Sequence, residues 1–255
     1  MDASRIGLGC MRMADMSVQK VSKLINIALD NGVNLFDHAD IYGAGRSEEV
    51  FGKALAENKG MRERMRIQTK CGIRDGYYDF SAAHILSSVD DSLRRLQTEY
   101  IDLLLLHRPD ALMDVEEVAD TLHQLQRTGK VRRFGVSNFT SAQIELLQSV
   151  CKVPIQVNQM QFGLMHAGMI QQGLEANMLT EGAASRDMAV LDYCRLHNIT
   201  IQAWSPLQYG FFEGSFIDNE KFPVVNDVLG RIAEERHVTK SAIATLTITT
   251  FMESW

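Results

Sequence analysis

Cysteine is scarce in this sequence, and its distribution argues against several classes of protein. The chain has 255 residues and four cysteines. No two of them form a Cys-x-x-Cys pair, which argues against a zinc ribbon and against a thioredoxin-like redox motif. The widely spaced cysteines are Cys10, Cys71, Cys151 and Cys194. We expect reduced thiols in a cytoplasmic protein.

Long apolar runs and basic clusters are also missing. No segment approaches the roughly 18 consecutive apolar residues of a membrane span, and the N-terminus shows no basic segment followed by an apolar stretch. The formal net charge is -6, and no basic stripe carries the interleaved aromatic residues of a nucleic-acid-binding surface. The sequence therefore predicts an unexported protein that spans no membrane and binds no nucleic acid.

Length and composition favour one large globular domain. Hydrophobic residues make up 45% of the chain and charged residues 23%, which are near the averages for globular proteins. Barrels of alternating strands and helices commonly reach about 250 residues as one unit. We expect a single domain over residues 1–255.

Short strand-like runs alternate with amphipathic helix patterns, as is typical of parallel βα units. In the first helix, Ser17 is a candidate cap, apolar residues follow the helical spacing, and Asn31 with Gly32 marks the end. Ser47 and Ser81 are candidate caps of the second and third helices. Strands are predicted at residues 6–10, 34–43, 66–70, 101–106, 131–136, 155–160 and 200–203. Later helices are predicted at 47–57, from 81 to about 96, 115–127, 140–150 and 188–197, with a polar loop before the last and a long aromatic loop at 208–222.

Seven predicted strands are one fewer than the eight that close a (β/α)8 barrel. A doubly wound sheet remains an alternative, but no Gly-x-Gly-x-x-Gly follows the first strand, where a dinucleotide-binding fold would carry it. The sequence favours an α/β fold, a (β/α)8 TIM barrel that is incomplete, with the eighth strand and the final helix missing.

Polar residues follow the strands at the end where such barrels carry their catalytic groups. Taken singly, each has a structural explanation: Asp37 as a cap, Lys70 as a strand end in solvent, His107 as a loop residue, and Tyr42 as a half-buried phenol. Together they form a general acid assembly, in which Lys70 would lower the pKa of Tyr42 and Asp37 would keep Lys70 charged. Such a set suits the protonation of a carbonyl oxygen.

A metal site is not expected. The sequence has no His-x-His or His-Glu-x-x-His spacing, and the positive charge of Lys70 beside the proposed site would oppose a cation.

Six segments in order carry a family resemblance. They read "FDHADIYG", "IQTKCG", "LLLLHRPD", "VRRFGVSNF", "VNQMQF" and "AWSPL". From Arg5 to about Ala244 the sequence resembles the aldo-keto reductase family, and within it the bacterial oxidoreductases whose fourth strand ends in His-Arg-Pro-Asp.

The resemblance implies an NADPH-dependent reductase that converts an aldehyde or ketone to an alcohol. Its catalytic residues would be Asp37, Tyr42, Lys70 and His107. Tyr42 would protonate the carbonyl oxygen while the nicotinamide delivers hydride to the carbon, and His107 would orient the carbonyl.

The resemblance also implies a set of cofactor-binding residues. Ser137, Asn138 and Gln159 would hydrogen-bond the carboxamide of the nicotinamide. Trp204 would stack on its ring, at a position where the family more often has tyrosine or phenylalanine. The residues that would lie beside the pyrophosphate are Ser205 and Leu207. We interpret His38 and Asp40 as supporting groups of the loop.

The resemblance ends where the family would continue into another helix, an eighth strand and a last helix. This chain reads "TLTITTFMESW" instead. Residues 245–250 are rich in threonine, and their propensity favours strand at a place where a helix from Ser241 should continue. We expect a truncated or frame-shifted C-terminus that lacks the grip on the adenosine 2'-phosphate, which leaves the NADPH preference and the activity open.

Two other functions stay open. Lysine on a barrel strand end is also how aldolases work, so the chain could be a Schiff-base lyase using Lys70. It could also be a non-catalytic or inactive remnant that binds the cofactor. For a reductase, Tyr209, Phe211 and Phe212 suggest an aromatic wall for a small carbonyl substrate, and we expect a monomer.

Overall fold

A computed structural model describes residues 3–58 and 60–253. Its seven strands form one sheet in the order β1 to β7, and the pairs from β1–β2 to β4–β5 are parallel. The strands are β1 (Gly7–Gly9), β2 (Leu35–Asp37), β3 (Arg66–Cys71), β4 (Leu103–Leu106), β5 (Phe134–Ser137), β6 (Ile155–Gln161) and β7 (Thr200–Trp204). Each strand pairs with its sequence neighbour, which is the order of a (β/α)8 barrel.

Nine α-helices lie between or after these strands in the described residues. They are α1 (Val18–Asp30), α2 (Arg46–Ala56), α3 (Ala82–Leu96), α4 (Val115–Arg127), α5 (Ser141–Val150), α6 (Gly168–Leu174), α7 (Val190–Leu196), α8 (Pro223–Arg236) and α9 (Lys240–Glu253). The predicted caps Ser17 and Ser81 accept hydrogen bonds from the first turns of α1 and α3. Thr140 forms a complete capping box with Gln143 at the start of α5, so each of these helices begins where a side-chain oxygen can satisfy its first N–H groups.

The chain divides into two compact units, Met1–Val157 and Asn158–Trp255. The core of the first unit contains apolar side chains from α1, β2, α2 and β3, among them Ile25, Phe36, Phe51 and Ile67, all fully buried. The core of the second unit joins α8 and α9 through Leu229, Ala233, Ile243 and Ala244, around the buried Phe216. The strand β6 begins in the first unit and ends in the second.

The predicted fold class is confirmed as an incomplete (β/α)8 barrel. Among the described residues, β7 is followed by two helices and by no eighth strand. Of the predicted elements, α4 has the predicted bounds, and six of the strands differ from prediction only at their ends. The predicted strand at 34–43 is the exception, because β2 covers only Leu35–Asp37 and the chain then continues as a loop.

The predicted cap at Ser47 is wrong. Helix α2 begins at Arg46 after Gly45, whose φ of 88° lies in the left-handed region that favours glycine. Ser47 is buried, and its hydroxyl donates to the carbonyl oxygen of Cys10 at 2.6 Å. The side chain therefore serves a tertiary contact instead of the helix end.

Two further predictions differ from the structure. The predicted polar loop before residue 188 contains α6, and the threonine-rich residues with strand propensity lie in α9. The hydroxyls of Thr247 and Thr249 donate to carbonyls of the preceding turn, a contact that accommodates threonine within a helix. Packing of Ile243 and Ala244 against α8 supplies the stability that local propensity does not. Residues 254 and 255 of the same segment lie outside the described residues.

No helix within residues 3–58 and 60–253 is both long and apolar enough to cross a membrane.

Candidate active site

The loop after β2 brings Tyr42 to the end of β3. Beyond the last paired residues of β2, the Asp40 N–H still donates to the carbonyl oxygen of Lys70 at 3.0 Å. A tight turn follows, in which the Tyr42 N–H donates to the Ala39 carbonyl at 3.1 Å. Beyond the end of β2, the chain therefore continues alongside β3. This path brings the predicted residues Asp37, Tyr42 and Lys70 together.

Lys70 is the centre of this group. It is 1% exposed, and its Nζ contacts both carboxylate oxygens of Asp37, at 2.7 and 2.8 Å. It also donates to the backbone carbonyl of His38 at 2.7 Å and to the hydroxyl of Tyr42 at 3.1 Å. The interpretation of Lys70 as a strand end in solvent is wrong, since the ammonium is held entirely by protein groups.

These contacts keep Lys70 protonated. Burial alone would lower its pKa, but the charge of Asp37 and the hydrogen bonds to Asp37 and Tyr42 act against burial, and the pKa is raised above its ordinary value. An ammonium carries three protons and no acceptor. The Tyr42 oxygen therefore accepts from Lys70, and its own proton remains available to another group.

The predicted lowering of the Tyr42 pKa needs a correction. Lys70 does act in that direction, by its charge and by its hydrogen bond. Burial of the phenol is the larger influence, and the net pKa of Tyr42 lies above its ordinary value. Tyr42 is therefore a neutral phenol at physiological pH, which is the protonation state that a general acid needs.

His107 lies beyond the end of β4. Its backbone N–H donates to the carbonyl oxygen of Cys71 at 2.9 Å. Its ring lies edge-on to the Tyr42 ring, with 6.1 Å between centroids and 81° between the planes. Burial lowers the pKa of His107 to about 2, helped by the positive charges of Lys70 and Arg108. The imidazole is neutral, and its buried Nδ1 has no hydrogen-bond partner among the described residues.

His38 and Asp40 are the two remaining polar residues of the loop, and each lies beside residues outside the group around Lys70. The buried His38 ring packs edge-on against Phe51 at 4.5 Å, and burial lowers its pKa to about 3, with Lys70 adding to the effect. Burial and the nearby Glu48 raise the pKa of Asp40 to about 7.

A buried polar network beside Asp40 was not predicted. Glu48, in the first turn of α2, is fully buried. It accepts from Thr69 Oγ1 at 2.6 Å, from Ser92 Oγ at 3.1 Å and from Arg95 Nε at 2.7 Å. The three donors, one of them the Arg95 guanidinium, compensate the burial of the carboxyl group, which joins α2, β3 and α3. No local signal distinguishes it from the exposed Glu49 next to it.

Two predicted cofactor residues lie in the first unit, at the end of β5. Ser137 is buried, and Asn138 follows it with a φ of 61° in the left-handed region. The Asn138 amide donates to Ser137 Oγ at 2.8 Å and to the His107 carbonyl at 3.5 Å. Asparagine tolerates this backbone conformation better than most residues, so the side chain is held at the strand end.

The other predicted cofactor residues lie in the second unit. Gln159 is buried and donates to Gln202 Oε1 at 3.2 Å. Trp204 ends β7 half-buried, with the Phe212 ring stacked near it at 6.1 Å and the Phe211 ring edge-on at 6.4 Å. Ser205 follows with a φ of 49°, and Leu207 packs against the Phe216 core.

The chemistry of these side chains fits a nicotinamide. A carboxamide offers both N–H donors and a carbonyl acceptor, and hydroxyl and amide groups such as Ser137, Asn138 and Gln159 can supply both partners. The half-exposed indole of Trp204 has the large aromatic face on which a planar ring stacks. In the part of the chain that the structure describes, no group of three or more His, Cys, Asp or Glu residues could hold a metal ion.

Comparison with known proteins shows the family. The model of the Aldo/keto reductase family matches residues 5–246. The chain belongs to this family. The predicted family is thus confirmed, and the chain is an NAD(P)H-dependent oxidoreductase.

Several relatives within the aldo/keto reductase family are similar over most of the chain. Oxidoreductase YdhF of Escherichia coli is 38% identical over 91% of this chain and 74% of its own length. The 6-dehydroglucose reductase of Agrobacterium fabrum is 36% identical, over 96% and 80%.

Solved structures of family members share the fold. The glycerol dehydrogenase of Gluconobacter oxydans is 26% identical, with a TM-score of 0.74 over 97% of this chain and 80% of its own. An aldo-keto reductase from Klebsiella pneumoniae in complex with NADPH is 25% identical, with a TM-score of 0.72 over 95% and 75%.

Proposed function

We propose that this aldo/keto reductase uses NADPH to reduce the carbonyl of a small aldehyde or ketone to an alcohol, with Tyr42 as the general acid. The observation that carries the proposal is the contact from the Lys70 ammonium to the Tyr42 hydroxyl at 3.1 Å. Because a protonated lysine can only donate, the phenol proton is left for a substrate oxygen.

The four proposed catalytic residues form a tetrad of Asp37, Tyr42, Lys70 and His107, and the contacts of each suggest its task. Asp37 neutralises the buried charge of Lys70 and fixes its position. The Lys70 ammonium stabilises the negative charge that develops on Tyr42 when the phenol gives up its proton. The neutral imidazole of His107 can donate an N–H to the carbonyl oxygen without adding a charge to the site.

The cofactor would supply the hydride equivalent that the carbonyl carbon takes up. The residues proposed to hold the carboxamide are Ser137, Asn138 and Gln159, and Trp204 would stack on the ring. The proposed partners of the pyrophosphate are Ser205 and Leu207. Addition of hydride at carbon and of the Tyr42 proton at oxygen balances the conversion of a carbonyl to an alcohol.

The names of relatives support a carbonyl or alcohol substrate. One is described as a 6-dehydroglucose reductase, one as a glycerol dehydrogenase, and one was solved with NADPH. Tyr209 packs against Phe222, and Phe211 and Phe212 are exposed beside Trp204. We propose these aromatic residues as the wall of the substrate site, within a monomer that forms a single domain.

The Schiff-base alternative is disfavoured by the state of Lys70. A lysine that attacks a carbonyl must be a neutral amine, and lysines used in this way have a lowered pKa. The pKa of Lys70 is raised, and the amine is paired with Asp37. Borohydride trapping of a carbonyl substrate on Lys70 would support the lyase in spite of this geometry.

A cofactor titration tests the proposal. The chain has two tryptophans, Trp204 and Trp255. We expect NADPH to quench the tryptophan fluorescence saturably in the wild type and in Trp255→Phe, and the quench to be lost in Trp204→Ala. A parallel titration with NADH measures the preference between the two cofactors.

Two results of this titration would count against the proposal. A folded protein that shows no saturable quench does not bind the cofactor as proposed. Saturable binding without turnover on a panel of aldehydes and ketones would favour the non-catalytic alternative.

A further inference from the structure

Gln68 is a polar side chain deep in the first unit that the family resemblance does not explain. It lies on β3, two residues before Lys70, and is fully buried. Residues two apart on a strand point to the same face, so Gln68 and Lys70 lie on one side of the sheet. The parallel register pairs Gln68 with Asp37 on β2.

The Gln68 amide contacts the carboxylate that holds Lys70. Its Nε2 lies 2.5 Å from Asp37 Oδ1. The opposite orientation of the amide would bring a carbonyl oxygen equally close to a carboxylate oxygen, which is electrostatically unfavourable, so Gln68 is the donor. Asp37 Oδ1 thus accepts from both Gln68 and Lys70, while Oδ2 accepts from Lys70.

The carbonyl oxygen of the Gln68 side chain gains no hydrogen bond from the described residues. This atom, Oε1, is buried. An unpaired buried carbonyl destabilises the fold, and an apolar side chain of similar size would avoid that cost. A buried polar atom without a partner is expected at a residue whose side chain supports a functional site at some cost to the stability of the fold.

We infer that Gln68 is a positioning residue, which fixes the Asp37 carboxylate so that both of its oxygens face Lys70 Nζ. The inference rests on the proposed role of Asp37, Lys70 and Tyr42 in carbonyl reduction. Asp37 is partly exposed, at 18% of its side chain. Without the Gln68 donor the carboxylate could turn towards water, and the ammonium that supports Tyr42 would lose its fixed partner.

The first test uses Gln68→Leu, with Thr69→Val as the matched control. Thr69 is the next residue on β3, is equally buried and donates to Glu48 instead of the tetrad. We expect Gln68→Leu to lower kcat about tenfold, as for a lost charge-assisted hydrogen bond. KM and the Kd for NADPH should stay within about twofold, and the melting temperature should not fall. Thr69→Val should lower the melting temperature and leave kcat unchanged.

A second variant tests whether a donor at this position is what matters. Gln68→Glu supplies an O–H donor when it is protonated and a second negative charge when it is not. Two carboxyl groups that share a site hold one proton well above the ordinary pKa of either. We expect kcat of Gln68→Glu to recover as the pH falls, and no such recovery in Gln68→Leu.

The third measurement does not depend on turnover. Buried ammonium groups can be observed by proton–nitrogen NMR, and the Lys70 signal is identified by its loss in Lys70→Arg. In the protein without cofactor, Gln68→Leu should shift or broaden this signal, and Thr69→Val should leave it in place. If the signal responds while the wild type reduces no carbonyl, the positioning contact stands and the proposed function fails.

Two results would overturn the inference. One is an unchanged Lys70 signal in Gln68→Leu. The other is a loss of stability in Gln68→Leu with kcat and its pH dependence unchanged, which is the result expected of a residue that only packs the core.

Discussion

The Lys70 ammonium donates a hydrogen bond of 3.1 Å to the Tyr42 hydroxyl and one of 2.7 Å to Asp37 Oδ1. This order of donor and acceptor leaves the phenol proton as the one proton that the three groups can give to a substrate. The proposed chemistry depends on that single hydrogen.

Removal of the phenol proton should abolish most of the activity. Tyr42→Phe keeps the ring beside His107 and loses the general acid, so we expect kcat for carbonyl reduction to fall at least about a hundredfold. Binding of NADPH should be retained, because Tyr42 is not among the proposed cofactor residues. Steady-state rates and a fluorescence titration measure the two effects, and a variant that keeps wild-type kcat would contradict the role of Tyr42.

Neutralising Asp37 should shift the pH dependence. In Asp37→Asn the burial that lowers the Lys70 pKa remains, while the charge that raises it is gone. Lys70 should then lose its proton at lower pH than in the wild type. We expect the alkaline decline of kcat to begin at lower pH, and an identical pH–rate profile in both proteins would argue against the ion pair as the support of Tyr42.

Asp40 should make the protein less stable as the pH rises through the weakly acidic range. Burial and Glu48 raise its pKa in the folded state to about 7, from an ordinary value of 3.8. The folded state thus retains a proton that the unfolded chain releases above about pH 4, so stability falls from about pH 4 to about pH 7. The loss is on the order of a few kcal/mol.

The variant Asp40→Asn cannot ionise and should remove this part of the pH dependence. We expect it to match the wild type near pH 4 and to be more stable at pH 8, as measured by urea unfolding. Asp15→Asn is the control, because Asp15 has a side chain that is 92% exposed. Parallel pH–stability curves for the wild type and Asp40→Asn would contradict the raised pKa.

Helix α2 packs so closely on the end of α3 that only glycine fits at one position. A Cβ on Gly52 would lie 2.1 Å from the carbonyl oxygen of Arg95 and 2.9 Å from Leu96 Cα, both backbone atoms. We expect Gly52→Ala to lower the free energy of unfolding by about 2 kcal/mol or more, in spite of the better helix propensity of alanine.

The control for this substitution is Gly230→Ala in α8. A Cβ on Gly230 meets only the flexible side chain of Lys240, at 3.4 Å, so propensity should dominate and raise stability by about 0.5–1 kcal/mol. Chemical denaturation distinguishes the two glycines. Equal effects at both positions would show that the α2–α3 approach is looser than described.

The sequence predicted those features that local pattern determines. Strand ends carry the polar residues of the candidate site, so Asp37, Lys70 and His107 could be proposed from their positions at the strand ends. The serine caps at Ser17 and Ser81 were predicted on similarly local grounds, since a cap acts on its own helix.

The features that were missed depend on partners distant in sequence. Glu48 receives its donors from residues 21 to 47 positions away, and nothing in α2 indicates them. Thr247 lies in a helix against its propensity because α9 packs on α8. Gln68 could have been noticed as a second polar residue on the face of Lys70, but its contact with Asp37 required the register of β2 and β3.

The measurement that tests the central claim most directly is the transfer of deuterium to a carbonyl substrate from NADPH that carries deuterium at both C4 positions of the nicotinamide, followed by mass spectrometry of the alcohol. For the wild-type chain we expect one deuterium per alcohol, bound to the former carbonyl carbon, and no transferred label in the solvent. A folded, cofactor-bound protein that transfers no label to any aldehyde or ketone of a broad panel would contradict the claim.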